Sequence, residues 1–141
     1  MEHTGDAIRV LHVDDDPAFT DLTATFLERE DDRFEVTTAT SASVGLERLL
    51  AEEFDCVVSD HDMPGATGIE LLEAVRGERP GLPFILFTGK GSEEVASEAI
   101  SRGVTDYLQK AGGSEQYAIL ANRIVNAVES NRAERAVERT R

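Results

Sequence analysis

The feature that most constrains this chain is an alternation. Short apolar runs at Ile8–Val13, Phe34–Ala39, Asp55–Ser59, Pro83–Phe87 and Val104–Leu108 are separated by segments of helical periodicity. The runs read as strands, and three of them, IRVLHV, DCVVS and PFILF, are apolar on both faces, as strands buried from two sides must be. Between them, Phe19, Leu22, Phe26 and Leu27 share one helix face, as do Leu46, Leu49 and Leu50, then Ile69, Leu72 and Val75, then Val95, Ala96, Ala99 and Ile100. Asp16 followed by Pro17 is a helix start, Ser92 and Ser114 are expected caps, and Gly77 and Gly103 sit where helices should stop. Strand and helix in strict alternation imply a parallel sheet covered on both faces, joined by right-handed crossovers. In such sheets ligands bind beyond the carboxyl ends of the strands.

At 141 residues the expectation is a single domain over residues 1–128. A last helix carries Tyr117, Leu120, Ile124 and Val128 on its core face. Residues 129–141 read as a charged helical extension or linker, with Glu129, Glu134 and Glu138 set against Arg132, Arg135, Arg139 and Arg141. The single Cys56 has no intrachain partner and reads as a small core residue, and His12 and His61 have spacing that suits no zinc site. No run approaches membrane-spanning length and the opening MEHTGDAIR lacks a signal-peptide core, so a cytoplasmic protein without membrane contact is expected.

Charge narrows the function. Asp and Glu total 28 against 14 Lys and Arg, a formal net charge of −14, which repels nucleic-acid phosphates. Lysine occurs only at Lys90 and Lys110. Excess carboxylate with scarce lysine reads as adaptation to concentrated salt, since at about 1 M the Debye length is only about 3 Å.

The polar residues that matter fall at the strand ends. The first strand ends at Asp14 and Asp15, the third at Asp60, the fourth at Thr88, and the fifth is followed by Lys110. Neighbouring carboxylates cannot all stay ionised in low dielectric without a cation. Oxygen ligands alone favour a hard ion, Mg²⁺. Carboxylate, divalent metal, ammonium and hydroxyl together suit the transfer of a phosphoryl group, with Asp60 as the nucleophile. Lys90 is expected to pair with Asp62 at the mouth of the site and hinder a hydrolytic water. The segment TGKGS is not a phosphate loop, because Phe84 stands where its first glycine belongs.

The set VDDDP, SDHDMPGATGIEL, FTGKG and GVTDYLQK, in this order, resembles the receiver domain of two-component response regulators up to about Val128, and in particular haloarchaeal receivers. The resemblance implies a flavodoxin-like doubly wound sheet of five parallel strands in the order 2-1-3-4-5, flanked by five helices. It implies a sensor histidine kinase as phosphodonor, with Asp60 as the phosphorylated aspartate. Asp15 and Asp60 would bind Mg²⁺ directly, Asp14 through water and Asp62 through its backbone carbonyl. Thr88 would be the switch hydroxyl, Tyr107 the aromatic that turns inward, and Lys110 the lysine that meets the phosphate. Phosphorylation would remodel the fourth helix, fifth strand and fifth helix, which would face a downstream protein or a second copy of the chain. Two positions depart from the family pattern. Ala111 replaces the usual proline after Lys110, so the bond there is either trans or strained. Gly89 follows the switch threonine in place of alanine or serine.

Three other readings stay open at this stage. The chain resembles, more weakly, the aspartate-nucleophile phosphatases of the haloacid dehalogenase type, through Asp60-His61-Asp62, Thr88 and Lys110. It also fits a receiver segment of a larger sensory or kinase protein, or a receiver-like module that is never phosphorylated.

Overall fold

The computed structural model describes residues 7–89 and 93–139. Five strands alternate with five helices: β1 (Ile8–Val13), α1 (Pro17–Glu30), β2 (Phe34–Ala39), α2 (Ala42–Ala51), β3 (Cys56–Ser59), α3 (Gly68–Glu78), β4 (Phe84–Thr88), α4 (Glu93–Ser101), β5 (Asp106–Gln109) and α5 (Glu115–Arg139). All strand pairs are parallel, and the order is β2-β1-β3-β4-β5, as expected for a flavodoxin-like sheet. Three strands start later than their apolar runs: β3 at Cys56, β4 at Phe84 and β5 at Asp106. Pro83 has no N–H to give a ladder, and its carbonyl instead accepts from the Val57 amide at 2.9 Å.

Side-chain alternation splits the core into two layers. Ile8 and Val10 of β1, Cys56 and Val58 of β3, and Ile85 and Phe87 of β4 pack with Leu27 of α1 and Leu120, Ile124 and Val128 of α5. Leu11, Val13, Val57, Phe84 and Leu86 point the other way, onto Leu49 of α2 and Ile69, Leu72 and Val75 of α3. The double-sided apolar runs are therefore the middle strands, and α5 uses the stripe read from the sequence.

In three other helices only part of the expected apolar face points inward. Leu22 is 48% exposed, Leu50 55% and Ile100 69%. The inward stripes keep Leu27, Leu49 and Ala99 of the expected faces and are otherwise filled by small residues, Thr20 and Thr23 in α1 and Ala42 and Gly45 in α2. Close approach is the reason, since a methyl on Gly45 would lie 2.9 Å from Val13 Cγ2.

The caps explain the helix bounds. Asp16 accepts from the Phe19 amide ahead of Pro17, Ser41 caps α2, and Thr67 forms a reciprocal capping box with Glu70 at the start of α3. α3 runs past Gly77 to Glu78, and the Arg79 amide closes it on the Val75 carbonyl. Gly103, at φ +93°, ends α4 as expected: its amide reaches Ile100 O at 3.2 Å and the Val104 amide reaches Ala99 O at 3.0 Å. Ser114 precedes α5 and accepts from the Tyr117 amide through its carbonyl at 3.1 Å. The expected cap Ser92 lies outside the described residues, and none of the described helices is long and apolar enough to cross a membrane.

α5 continues without a break through residue 128, and its next turn docks on the globule. Asn131 Nδ2 donates to Gly81 O at 2.8 Å, and Arg132 donates to Ala7 O at 2.7 Å with Asp55 Oδ1 at 3.5 Å.

Candidate functional site

Asp14, Asp60 and Lys110 share one construction. Each is the first residue past its strand, and each keeps its amide bonded to the neighbouring strand: Asp14 N–H to Ala39 O at 3.0 Å, Asp60 N–H to Val13 O at 2.9 Å, Lys110 N–H to Thr88 O at 2.9 Å. The ladder thus fixes the backbone one residue beyond its end, and the side chains gather at the carboxyl edge.

Asp14, Asp15 and Asp60 each offer a carboxylate oxygen, and these atoms all lie within 4.8 Å of one another. Asp14 and Asp60 are buried, whereas Asp15 is exposed. Their other bonds fix their orientation: Asp14 Oδ1 accepts from the Asp16 amide at 3.0 Å, and Asp60 Oδ1 from the His61 amide at 2.8 Å. Lys110 Nζ reaches Asp14 Oδ2 at 2.8 Å and Asp60 Oδ2 at 3.6 Å. Among the described residues one ammonium is set against three carboxylates, an excess of negative charge. An all-oxygen, electron-rich pocket of this kind has the donor chemistry of a hard divalent cation.

Thr88 ends β4 fully buried, and its Oγ1 has no hydrogen-bond partner among the described residues. Tyr107 on β5 is half-buried beside Leu86, and its Oη is also buried without a partner. Burial, and then the negative charge of Asp62, push the Tyr107 phenol above its ordinary pKa. Asp62 itself is exposed in the β3–α3 loop. Lys90 lies outside the described residues, and with it the expected pairing to Asp62. No described peptide bond is cis, so Lys110 and Ala111 are joined in trans.

Three residues at the site escape the sequence pattern. Gly68 lies under the Asp60 loop, where an added methyl would meet Asp60 O at 2.2 Å and His61 Cα at 2.9 Å. Its amide bonds His61 O at 3.0 Å, so the start of α3 cradles the backbone that carries Asp60. Phe19 places its ring 4.3 Å from Lys110 Nζ. Gln116, nearly buried in the first turn of α5, bonds the loop that follows Lys110. Only the glycine in TGIEL was a signal for any of these; the other two depend on tertiary approach.

His12 is the unexpected member of the neighbourhood. It is fully buried next to Phe19, with centroids 5.9 Å apart, and neither ring nitrogen has a partner. Burial, assisted by the Lys110 charge, lowers its pKa to about 3, so it is a neutral core residue.

Comparison with known proteins agrees with this geometry. The family model for the response regulator receiver domain matches residues 10–121, and the chain belongs to that family. Receiver domains are signalling switches of two-component systems rather than catalysts, which separates the chain from the phosphatase alternative. It is 38% identical over 98 residues to the transcriptional regulatory protein FixJ of Bradyrhizobium diazoefficiens, covering 70% of this chain and 47% of that one. It is 40% identical over 103 residues to the transcriptional activator protein PfeR of Pseudomonas aeruginosa, covering 72% and 32%. The chain thus spans less than half the length of these curated relatives. A CheY-like receiver domain protein from Methanospirillum hungatei superposes with a TM-score of 0.82 at 32% identity, covering 91% of this chain and 98% of that one. A receiver domain from Clostridium thermocellum gives 0.80 at 26% identity, covering 89% and 98%.

Proposed function

We propose that this domain accepts a phosphoryl group from a sensor histidine kinase on Asp60, with Mg²⁺ bound at Asp14, Asp15 and Asp60, and thereby changes its protein-binding surface. The observation that carries this reading is the cluster itself: three carboxylate oxygens within 4.8 Å of one another, met among the described residues by the Lys110 ammonium, at the same sheet edge as a buried Thr88 hydroxyl with no partner among those residues. Asp15 and Asp60 would hold the metal directly, Asp14 through water, and Asp62 by its backbone carbonyl. When bound, the ion neutralises oxygens of both nucleophile and phosphoryl group.

In the transfer, an Asp60 carboxylate oxygen bonds to phosphorus as the bond from phosphorus to the donor's imidazole nitrogen breaks, and that nitrogen keeps the electron pair. Lys110, already 3.6 Å from Asp60 Oδ2, stabilises charge on the phosphoryl oxygens. Thr88 Oγ1 has a free donor for another of those oxygens. Tyr107 then follows Thr88 inward as the switch aromatic. The face that would respond is α4, β5 and α5, where Ile100 and Ile119 are more than half exposed. A downstream protein or a second copy of the chain would bind there.

The acidic surface, with its two lysines, supports a cytoplasmic protein working in concentrated salt and not binding nucleic acid directly. The share of its relatives that the chain spans also supports a receiver unit, residues 1–128, within a longer regulatory or sensory protein. Incubation with Mg²⁺ and acetyl phosphate should add one phosphoryl group by intact mass, and Asp60→Asn should add none. Equal gain in both proteins would refute the assignment.

A further inference from the structure

Lys110 opens a turn with little stiffness of its own. Ala111 is followed by Gly112 and Gly113, whose φ values of +48° and +79° are both in the left-handed region. Glycine has more backbone freedom to lose than any other residue. The Lys110 amide is held by Thr88 O at 2.9 Å, but the turn that leaves the lysine needs a restraint of its own to keep one conformation.

Gln116 provides that restraint from α5. The residue is 9% exposed, and its side chain bonds the turn on both sides. The Ala111 amide donates to Oε1 at 3.1 Å, and Nε2 donates to Gly113 O at 3.0 Å. One planar amide therefore spans the three residues after Lys110. On the opposite side the Lys110 ammonium rests over the Phe19 ring, 4.3 Å from its centroid. That ring is itself wedged by Phe87 and Tyr117, at centroid distances of 6.1 and 6.4 Å.

We propose that Gln116 is a positioning residue for Lys110, its amide closing the Ala111–Gly113 turn so that the ammonium stays between Asp14, Asp60 and the Phe19 ring. The inference rests on Lys110 serving phosphoryl transfer, as argued above. It adds a device for this chain's own loop, which lacks proline after the lysine.

The test exploits the lysine count. With only Lys90 and Lys110 in the chain, ¹³C-lysine labelling gives two sets of side-chain signals, and Lys90→Arg assigns them. In the wild type the Lys110 ε-methylene protons should be split and shifted upfield by the Phe19 ring. Gln116→Leu should collapse them toward the free-lysine position and slow phosphorylation by acetyl phosphate about tenfold, less than an ångström of misplacement can cost. Gln116→Glu, which keeps the acceptor for Ala111 but loses the donor to Gly113, should fall between the two. If Gln116→Leu fails to fold, Gln116→Glu carries the test through the same spectra. Lys110 signals unchanged in a folded variant would overturn the proposal whatever the phosphorylation rate. A wild type that takes up no phosphoryl group would instead refute the function, while the lysine spectra would still decide the clamp.

Discussion

The two edges of the sheet are built on opposite rules. At the amino edge, polar side chains find partners. Arg76 donates to Gly103 O at 2.9 Å and Leu82 O at 2.7 Å, Arg79 to Leu49 O at 2.9 Å, and Arg9 to Glu52 at 3.0 Å. At the carboxyl edge, like charges crowd together, and buried polar atoms go without partners among the described residues: Thr88 Oγ1, Tyr107 Oη, Tyr117 Oη and both nitrogens of His12. Buried polar atoms without partners typically cost about 1–3 kcal/mol each. Arginine forks that satisfy several carbonyls at once suit the edge that holds the fold together. Lysine, a compact and movable charge, stands at the edge where the carboxylates gather. The contrast separates stability from function within a single sheet.

Three substitutions would break or sharpen that contrast. The largest effect belongs to Gly68→Ala, whose methyl would push on the backbone of Asp60 and His61. A loss of about 3 kcal/mol is expected in urea melts, because neither contact can yield by a side-chain rotation. A neutral outcome would mean that the cradle under Asp60 is soft.

Next is the effect of pH through His12. Its folded pKa, about 3, lies below its ordinary 6.5, so the unfolded chain binds the proton more readily. Stability is then full above pH 6.5 and falls as acid is added, by about 2 kcal/mol at pH 5. His12→Leu should flatten this dependence between pH 7.5 and 5, a range above most carboxylate titration. Identical slopes in the two proteins would remove His12 as the cause.

Smallest is Arg76→Ala at the amino edge. The guanidinium is half-buried and gives up two strong bonds, so about 1–2 kcal/mol of stability should be lost. The rate of Asp60 phosphorylation should stay at the wild-type value. A change in that rate would show that the division between edges is not as clean as the bonding suggests.

What could be read from the sequence follows from locality. The middle strands were legible because residues buried on both faces must be apolar without a break. Asp14, Asp60, Thr88 and Lys110 could be brought to one edge because each sits at a strand end, and parallel strands share an edge. The faces of α1, α2 and α4 were legible only in part: Leu27, Leu49 and Ala99 point inward as expected, whereas Leu22, Leu50 and Ile100 point outward, because a count of apolar positions takes no account of side-chain size. The sheet also receives Thr23 and Gly45, whose smallness permits close packing. Gly68, Phe19 and Gln116 gave little warning, since each matters through an element distant in the chain. The docking of Asn131 and Arg132 was hidden for a related reason: their partners Gly81 and Ala7 are backbone carbonyls, which leave no mark in a pattern of side chains.

One long helix joins the two edges. α5 begins beside the lysine turn, where Gln116 grips it, and is bonded again at Asn131 beneath the sheet. Its 25 residues form a rod of roughly 37 Å at 1.5 Å per residue, so a tilt of only about 5° at one end sweeps the other through about 3 Å. Small angular changes at the lysine-turn end are thus amplified into displacements comparable to a hydrogen-bond length at the opposite pole.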